Sequence, residues 1–384
     1  MTSTKIKLDI NLEDTYHRAK ELKKQGQKIF GVSPMHFPEE LIHAAGGLPV
    51  VLQESTEPVT YGLAHLYPFF CGFTRSVVDM GVRNKLDVFD TIVLGDMCIQ
   101  LRHMVKTLKR QMPATSFVYL QWPLEISERF HSTVRDRLQR CRKDIEQLMG
   151  REITDDSLRQ SIRLYNENRR LMREVVDLAR AKPGVLRARD MVGLVQSGMV
   201  MPKEEHNRLL EGLIPQLKGK RASSRQGVKV YLSGHLCMAV KVEILDLIEE
   251  LGGQVVWDDL YTGSRYVASD ASEDLPPMEA LTQRYFNLGI PCPSRMEPKY
   301  GWSDYILDRV RQAGVQGVMV FMVKQCGPML LYYPYLKDVF ERESIPYTFI
   351  VTEHEVISFE QIKTRIQAFL HAARGMDADL ALGR

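Results

Sequence analysis

The sequence lacks the short motifs that most directly reveal a bound nucleotide or metal. It has six cysteines in 384 residues but no C-x-x-C pair, which argues against zinc ribbons, ferredoxin-type cysteine runs and thioredoxin-type redox motifs. Neither G-x-x-x-x-G-K-S/T nor G-x-G-x-x-G occurs. We therefore do not expect this chain to bind ATP or a dinucleotide in the usual way.

Long hydrophobic runs and an excess of one charge are also missing. The longest apolar runs, such as GVMVFMV, fall far short of the roughly 18–20 residues that a membrane helix needs. The net charge is only +3, and Lys and Arg are interspersed with Asp and Glu, so no stripe for nucleic-acid binding is present. The polar first residues do not resemble a signal or transit peptide. We therefore expect a cytoplasmic protein without membrane or nucleic-acid partners, whose cysteines stay reduced.

What the sequence does have is two sets of four apolar, β-branched runs, each set interrupted by helical segments. The first set covers residues 28–32, 48–52, 91–95 and 116–121, and the second covers 228–234, 253–259, 315–323 and 346–353. Such runs predict parallel strands that are buried on both faces. Each set opens with the same plan of strand, loop, amphipathic helix, Gly-Gly and strand, which predicts two similar α/β lobes.

The stretch between the two sets has apolar residues at helical spacing. Val134, Leu138, Cys141, Ile145 and Leu148 recur at intervals of three and four. We predict an N-terminal helical extension over 1–27, a first lobe over 28–124, a helical segment over 125–224 and a second lobe over 225–384. Because open parallel sheets bind ligands at the carboxyl ends of their strands, we expect a cleft shared by the two lobes there.

Three cysteines stand where the chain passes into a helix, namely Cys71, Cys98 and Cys326. The unpaired amides and the dipole at a helix N-terminus favour a thiolate. Three such thiolates in one crevice would form a socket for an iron–sulfur cluster, with one iron left exchangeable. Cys237 and Cys292 are candidate fourth ligands, although packing in a loop is the better interpretation of each. Cys141 lies on the apolar stripe of a helix, so we predict core packing for it.

Five segments together resemble the 2-hydroxyacyl-CoA dehydratase / benzoyl-CoA reductase superfamily. They are FPEELIHAAGGLPVVL, PFFCGFTRSVVDM, GDMCIQLRHMVKTL, VVWDDLYTGSRY and KQCGPMLLYYPYLK. The resemblance covers about residues 28–355, and around Cys71 and Cys98 it is most similar to the smaller cluster-bearing (gamma, or C) subunit of ATP-dependent benzoyl-CoA reductase. Dehydratase members commonly carry an acidic residue after the second and third cysteines. This chain has Ile99 and Gly327 there, which favours the reductase branch.

The resemblance implies two flavodoxin-like parallel-sheet lobes with an intervening helical segment and a [4Fe-4S] cluster held by Cys71, Cys98 and Cys326. It implies as partners a larger homologous cluster-bearing subunit, ATP-hydrolysing activator subunits and ferredoxin as electron donor. ATP and ferredoxin would be used by those partners, in keeping with the missing phosphate loop here. For the reductase, the reaction in anaerobic aromatic degradation is the two-electron dearomatisation of benzoyl-CoA to a cyclohexadiene carboxyl-CoA, with benzoyl-CoA at or near the subunit interface. No catalytic proton donor is identified.

Two other functions stay open from the sequence. One is the beta subunit of a 2-hydroxyacyl-CoA dehydratase, a lyase in which the electron is recycled rather than consumed. The other is a cofactor-free, two-lobed binding protein whose cysteines only pack.

Overall fold

The computed structural model describes residues 15–33, 35–222, 227–234, 241–297, 299–355 and 358–381, with side chains described as far as residue 374. Within these residues, eight strands form two four-stranded sheets, and every strand pair is parallel. The strands of the first sheet are β1 (Ile29–Val32), β2 (Leu48–Val51), β3 (Thr91–Asp96) and β4 (Ser116–Gln121). Those of the second are β5 (Val228–Gly234), β6 (Gly253–Asp258), β7 (Gly317–Val323) and β8 (Tyr347–Thr352).

The strand order is the same in both sheets. It is β2-β1-β3-β4 in the first and β6-β5-β7-β8 in the second, which matches the order of the first four strands of the doubly wound flavodoxin sheet. The predicted fold class is thereby confirmed, with two parallel sheets separated by a helical segment. All eight predicted strands are present. Burial on both faces holds for β1, β2, β3 and β7, but it is wrong for β4, β6 and β8, which lie at sheet edges and are partly exposed.

The helices lie between the strands and in the long middle segment. In chain order they are α1 (His17–Lys24), α2 (Glu40–Ala44), α3 (Gly72–Val82), α4 (Ile99–Gln111), α5 (His131–Met149), α6 (Asp155–Ala181), α7 (Ala188–Val200), α8 (Lys203–Gly219), α9 (Val242–Glu250), α10 (Pro277–Phe286), α11 (Trp302–Ala313), α12 (Gly327–Arg342) and α13 (Phe359–Ala381). The longest of them, α6, begins after Thr154, whose Oγ1 accepts a hydrogen bond from the backbone N–H of Ser157 at 3.1 Å. None of the described helices is both long and apolar enough to cross a membrane.

The helical segment holds the two lobes together. Helix α6 packs against α2 of the first lobe and β6 of the second, and α7 packs against β2 and α9. Apolar residues of both lobes belong to one continuous core, and a smaller core covers the other face of the second sheet. The main core is shared by the two lobes and does not separate the four predicted segments. The boundaries of these segments therefore stay a prediction. Because the core is shared, residues of both lobes can contribute to one site.

Candidate functional site

Each of the three predicted cysteines is the residue directly before a helix. Cys71 precedes α3, Cys98 precedes α4, and Cys326 precedes α12, all with extended backbone. Cys98 follows β3 and Cys326 follows β7, so these two occupy corresponding positions in the two lobes. Both stand at the carboxyl end of a central strand, which is where open parallel sheets bind ligands.

The three cysteine-bearing turns meet between the lobes, and the side chain of Gln100 links them. Gln100 lies two residues after Cys98. Its Oε1 accepts a hydrogen bond from the backbone N–H of Cys71 at 2.8 Å, and its Nε2 donates to the carbonyl oxygen of Gln325 at 2.6 Å. Gln325 is the residue before Cys326 and belongs to the second lobe. One amide therefore connects all three turns across the cleft.

Burial controls the ionisation of the three thiols. Cys71 and Cys326 are each 8% exposed, and Cys98 is partly buried. Burial raises the pKa of the Cys71 thiol to about 11, and it also raises the pKa of Cys98 and of Cys326 above the ordinary range. None of the three cysteine side chains caps its helix. The Thr74 hydroxyl, 3.3 Å from Sγ of Cys71, lowers the pKa of that thiol, and amides of the first helical turns lower the pKa of all three. The expectation of ready thiolates is thus wrong for the free chain, since burial outweighs the helix termini.

The thiols are also close enough to repel one another as thiolates. Charge on Cys71 and on Cys98 raises the pKa of Cys326, and charge on Cys98 raises that of Cys71. Within the described ranges, no group of three or more His, Cys, Asp or Glu side chains is arranged to hold a metal ion. A cubane cluster binds each thiolate on a different iron and needs more widely spaced sulfurs than a single ion does. Three thiols on separate turns are, by their chemistry, the donor type that such a cluster takes.

The remaining cysteines differ in their surroundings. Cys292 is 1% exposed, and its Sγ lies 2.9 Å from the Oγ of Ser294. Charge on Cys292 would raise the pKa of Cys98 and Cys326, which places it near the three turns. Cys237, the other candidate fourth ligand, lies outside the described residues. Cys141 is buried in the main core on α5, which confirms the packing predicted for it.

A second contact between the lobes lies at His354, which the sequence did not single out. One ring nitrogen lies 2.8 Å from the carbonyl oxygen of Glu57, and the other lies 3.1 Å from Oε2 of Glu54. The same residue closes against the start of α3, because a Cβ atom added to Gly72 would lie 2.9 Å from the backbone nitrogen of His354. The turn that carries Cys71 is therefore held directly by the second lobe.

A small cavity of about 50 Å³ lies at the carboxyl ends of β1 and β4. Buried nitrogens of His36, Trp122 and Arg265, all on its lining, have no hydrogen-bond partner. Burial lowers the pKa of His36 well below its usual value, and neighbouring arginines lower it further, so this imidazole is neutral. By its volume the cavity has room for a small polar group such as water.

Large apolar side chains that stay exposed cluster in the segments next to the cysteines. We call them the apolar rim: Tyr61, Leu63, Tyr67, Phe69, Ile99, Leu330, Leu331 and Tyr335. The first four precede Cys71, Ile99 follows Cys98, and the last three lie on α12 after Cys326. Exposed apolar surface of this kind is typical of protein–protein interaction sites.

Comparison with known proteins identifies the family. The chain matches the family described as 2-hydroxyglutaryl-CoA dehydratase, D-component, over residues 34–372. It therefore belongs to the superfamily of 2-hydroxyacyl-CoA dehydratases and benzoyl-CoA reductases, as the sequence predicted. Members of this superfamily carry iron–sulfur clusters.

Individual relatives come from both branches. The chain is 28% identical over 328 residues to the C subunit of the benzoyl-CoA reductase of Thauera aromatica, covering 84% of each chain. It is 26% identical over 354 residues to the (R)-phenyllactyl-CoA dehydratase beta subunit of Clostridium sporogenes, covering 91% of this chain and 93% of the relative. It is 28% identical over 348 residues to the beta subunit of the lactoyl-CoA dehydratase of Anaerotignum propionicum, with 90% and 91% covered. These similar identities leave the preference for the reductase branch a prediction.

Proposed function

We propose that this chain is the iron–sulfur subunit of an ATP-dependent benzoyl-CoA reductase. In that role it relays low-potential electrons for the two-electron dearomatisation of benzoyl-CoA to a cyclohexadiene carboxyl-CoA. The observation that carries the proposal is the meeting of three cysteine-bearing turns from two lobes at one cleft, in a chain of this superfamily. Ile99 and Gly327, where dehydratases commonly carry acidic residues, favour the reductase.

In this proposal Cys71, Cys98 and Cys326 hold a [4Fe-4S] cluster, and Cys292 is a candidate for the fourth position. The cluster supplies one-electron chemistry at low potential when it is bound. The chain contributes burial and three helix N-termini, each of which stabilises a nearby negative group by roughly 0.3–1 kcal/mol. Since burial keeps the free thiols protonated, loading releases protons from them.

The apolar rim supports the assembly part of the proposal. The relatives are named as subunits, and a larger homologous subunit that covers the rim would keep water from the cysteine cleft. Benzoyl-CoA would then bind at or near this interface. An ATP-hydrolysing activator and ferredoxin would supply the electrons from outside the chain, which itself has no phosphate-binding loop.

The test of the cluster is iron and acid-labile sulfide per chain, after anaerobic co-expression with the larger subunit. We expect about four irons per chain in the wild type, and their loss in Cys71→Ser, Cys98→Ser and Cys326→Ser. Cys141→Ser is the matched control, since that thiol packs in the core of α5. Iron that is absent, or indifferent to these three cysteines, would overturn the proposal and favour a cofactor-free binding protein.

The alternative is the beta subunit of a 2-hydroxyacyl-CoA dehydratase, favoured by the match over 91% of this chain to a phenyllactyl-CoA dehydratase subunit. Counting electrons and ATP against product separates the two. A reductase consumes two electrons for each product, and ATP hydrolysis accompanies every turnover. A dehydratase sustains many turnovers after one priming electron, and that result would replace the reductase with the lyase.

A further inference from the structure

The side chain of Gln100 makes hydrogen bonds to two segments outside its own helix. It lies in the first turn of α4, where a side chain normally points to solvent or packs locally. Here it is half-buried, and its two hydrogen bonds reach outside its own element. Its Oε1 accepts from the backbone of Cys71, and its Nε2 donates to the carbonyl oxygen of Gln325, 225 residues along the chain. The amide uses both its donor and its acceptor on the two neighbouring cysteine turns.

The Gln325 turn needs such support. Gln325 has a φ of +69°, in the left-handed region that residues other than glycine seldom adopt. A residue in this region persists only where its surroundings hold it there. The hydrogen bond from Gln100 fixes the carbonyl of this strained residue, and the next residue is Cys326. Loss of that bond would let the turn relax and move Cys326 relative to Cys71 and Cys98.

We propose that Gln100 is the positioning residue of the three-cysteine site, which sets the spacing of the cysteine turns across the two lobes before a cluster is loaded. The inference rests on the proposed function for the identity of the loaded group, but the geometry belongs to the free chain. The contact of His354 with Gly72 and Glu57 joins the lobes independently. Removal of the Gln100 amide should therefore disturb the site locally and leave the lobes together.

The test replaces Gln100 with methionine, which keeps the length of the side chain and removes both hydrogen bonds. Gln111→Met is the matched control, because Gln111 lies on the same helix and its side-chain amide bonds to His65, at 3.3 Å. With loaded protein, we expect iron loss to a chelator to become about tenfold faster in Gln100→Met, a factor that corresponds to 1.4 kcal/mol. The electron paramagnetic resonance signal of the reduced cluster should shift as well. Gln111→Met should match the wild type in both.

A second readout uses the iron-free chain and does not depend on the proposed function. Alkylation rates of Cys71 and Cys326, followed by mass spectrometry, should rise in Gln100→Met while the urea midpoint of unfolding stays within error of the wild type. Unchanged alkylation would overturn the proposal, and so would a fall in the unfolding midpoint that accounts for the faster iron loss. If the wild type takes up no iron, the proposed function fails, and the alkylation comparison alone decides the role of Gln100.

Discussion

At the scale of single residues, two glycines in the same local position have opposite surroundings. Gly72 and Gly327 are each the first helical residue after a cysteine, in α3 and α12. A Cβ atom on Gly72 would lie 2.9 Å from the backbone nitrogen of His354, whereas a Cβ on Gly327 would meet nothing within 4 Å. Substitutions at these two glycines can therefore distinguish two effects on stability. One is the close approach of the lobes at position 72, and the other is the added side chain at the start of a helix.

We predict that Gly72→Ala destabilises the chain and Gly327→Ala does not. The added methyl at position 72 meets backbone, which cannot swing aside, so the Cys71 turn or the His354 segment must shift at a cost of about 1–3 kcal/mol. Gly327→Ala should stay within about 0.5 kcal/mol of the wild type. Urea unfolding of the three proteins measures both differences. Equal stabilities for the two variants would mean that the lobes separate freely at this point.

The positions of the thiols could be predicted from the sequence, but their ionisation could not. The pattern of a strand followed closely by a cysteine and a helix located Cys98 and Cys326 at helix starts, because local sequence controls helix initiation. Their ionisation could not be predicted, since it depends on burial by segments far away in sequence. The same holds for Gln100 and His354, whose partners Gln325 and Glu57 lie in the opposite lobe.

At the scale of elements, the helical segment is fastened to the first lobe by a buried ion pair. Arg169 of α6 donates through Nη2 to Oε1 of Glu40 on α2, and both side chains are almost fully buried. Burial by itself would raise the pKa of Glu40, but Arg169 and Arg284 outweigh it and hold the pKa at about 2. The carboxylate is thus charged in the folded chain at any pH near neutrality.

This pair predicts a pH dependence of stability with a definite sign. The folded pKa of Glu40 lies below its unfolded value of about 4.5. Its contribution is therefore complete above about pH 4.5 and is lost as the pH falls from there toward 2. We expect Glu40→Gln to be less stable than the wild type by roughly 3 kcal/mol at pH 7, and the gap to narrow below about pH 4.5.

Free energies of unfolding for both proteins between pH 7 and pH 3.5 test this. Ser161→Ala is a suitable control, since Ser161 lies at the same contact of α2 with α6, and its hydroxyl, which carries no charge in this pH range, donates to the carbonyl oxygen of Glu40 at 3.0 Å. A gap between wild type and Glu40→Gln that stays constant across this range would show that Glu40 does not titrate with the lowered pKa.

Strand positions were predictable because each element of these sheets carries its own signal. A continuous run such as GVMVFMV, all of it buried in β7, needs no knowledge of its neighbours. The contact of α2 with α6 carries no such signal, since Glu40 and Arg169 lie 129 residues apart and look like ordinary charged helix residues. The sequence therefore predicts the strands of both sheets. It does not predict the contacts by which the helical segment binds the lobes.

At the scale of the whole molecule, the apolar rim is made of exposed residues from the segments beside all three predicted cluster cysteines. The rim draws on both lobes, since Phe69 and Ile99 lie in the first and Leu331 in the second. A partner that covers the rim would contact both lobes and enclose the cleft between them. Binding should therefore favour the arrangement of the lobes seen here and protect the cysteines from solvent.

The rim yields a prediction about assembly that leaves the isolated chain almost unaffected. Leu331 is 78% exposed on α12, so Leu331→Glu should change the free energy of unfolding by less than about 0.5 kcal/mol. In a complex the new carboxylate would be buried against the larger subunit without a partner, and we expect at least about tenfold weaker binding. Leu124→Glu, where the leucine is 58% exposed and outside the rim, serves as the control. Co-elution and titration of each variant with the larger subunit give the affinities. Equal binding by Leu331→Glu and wild type would place the partner on another face, and the cysteine cleft would then need a different cover.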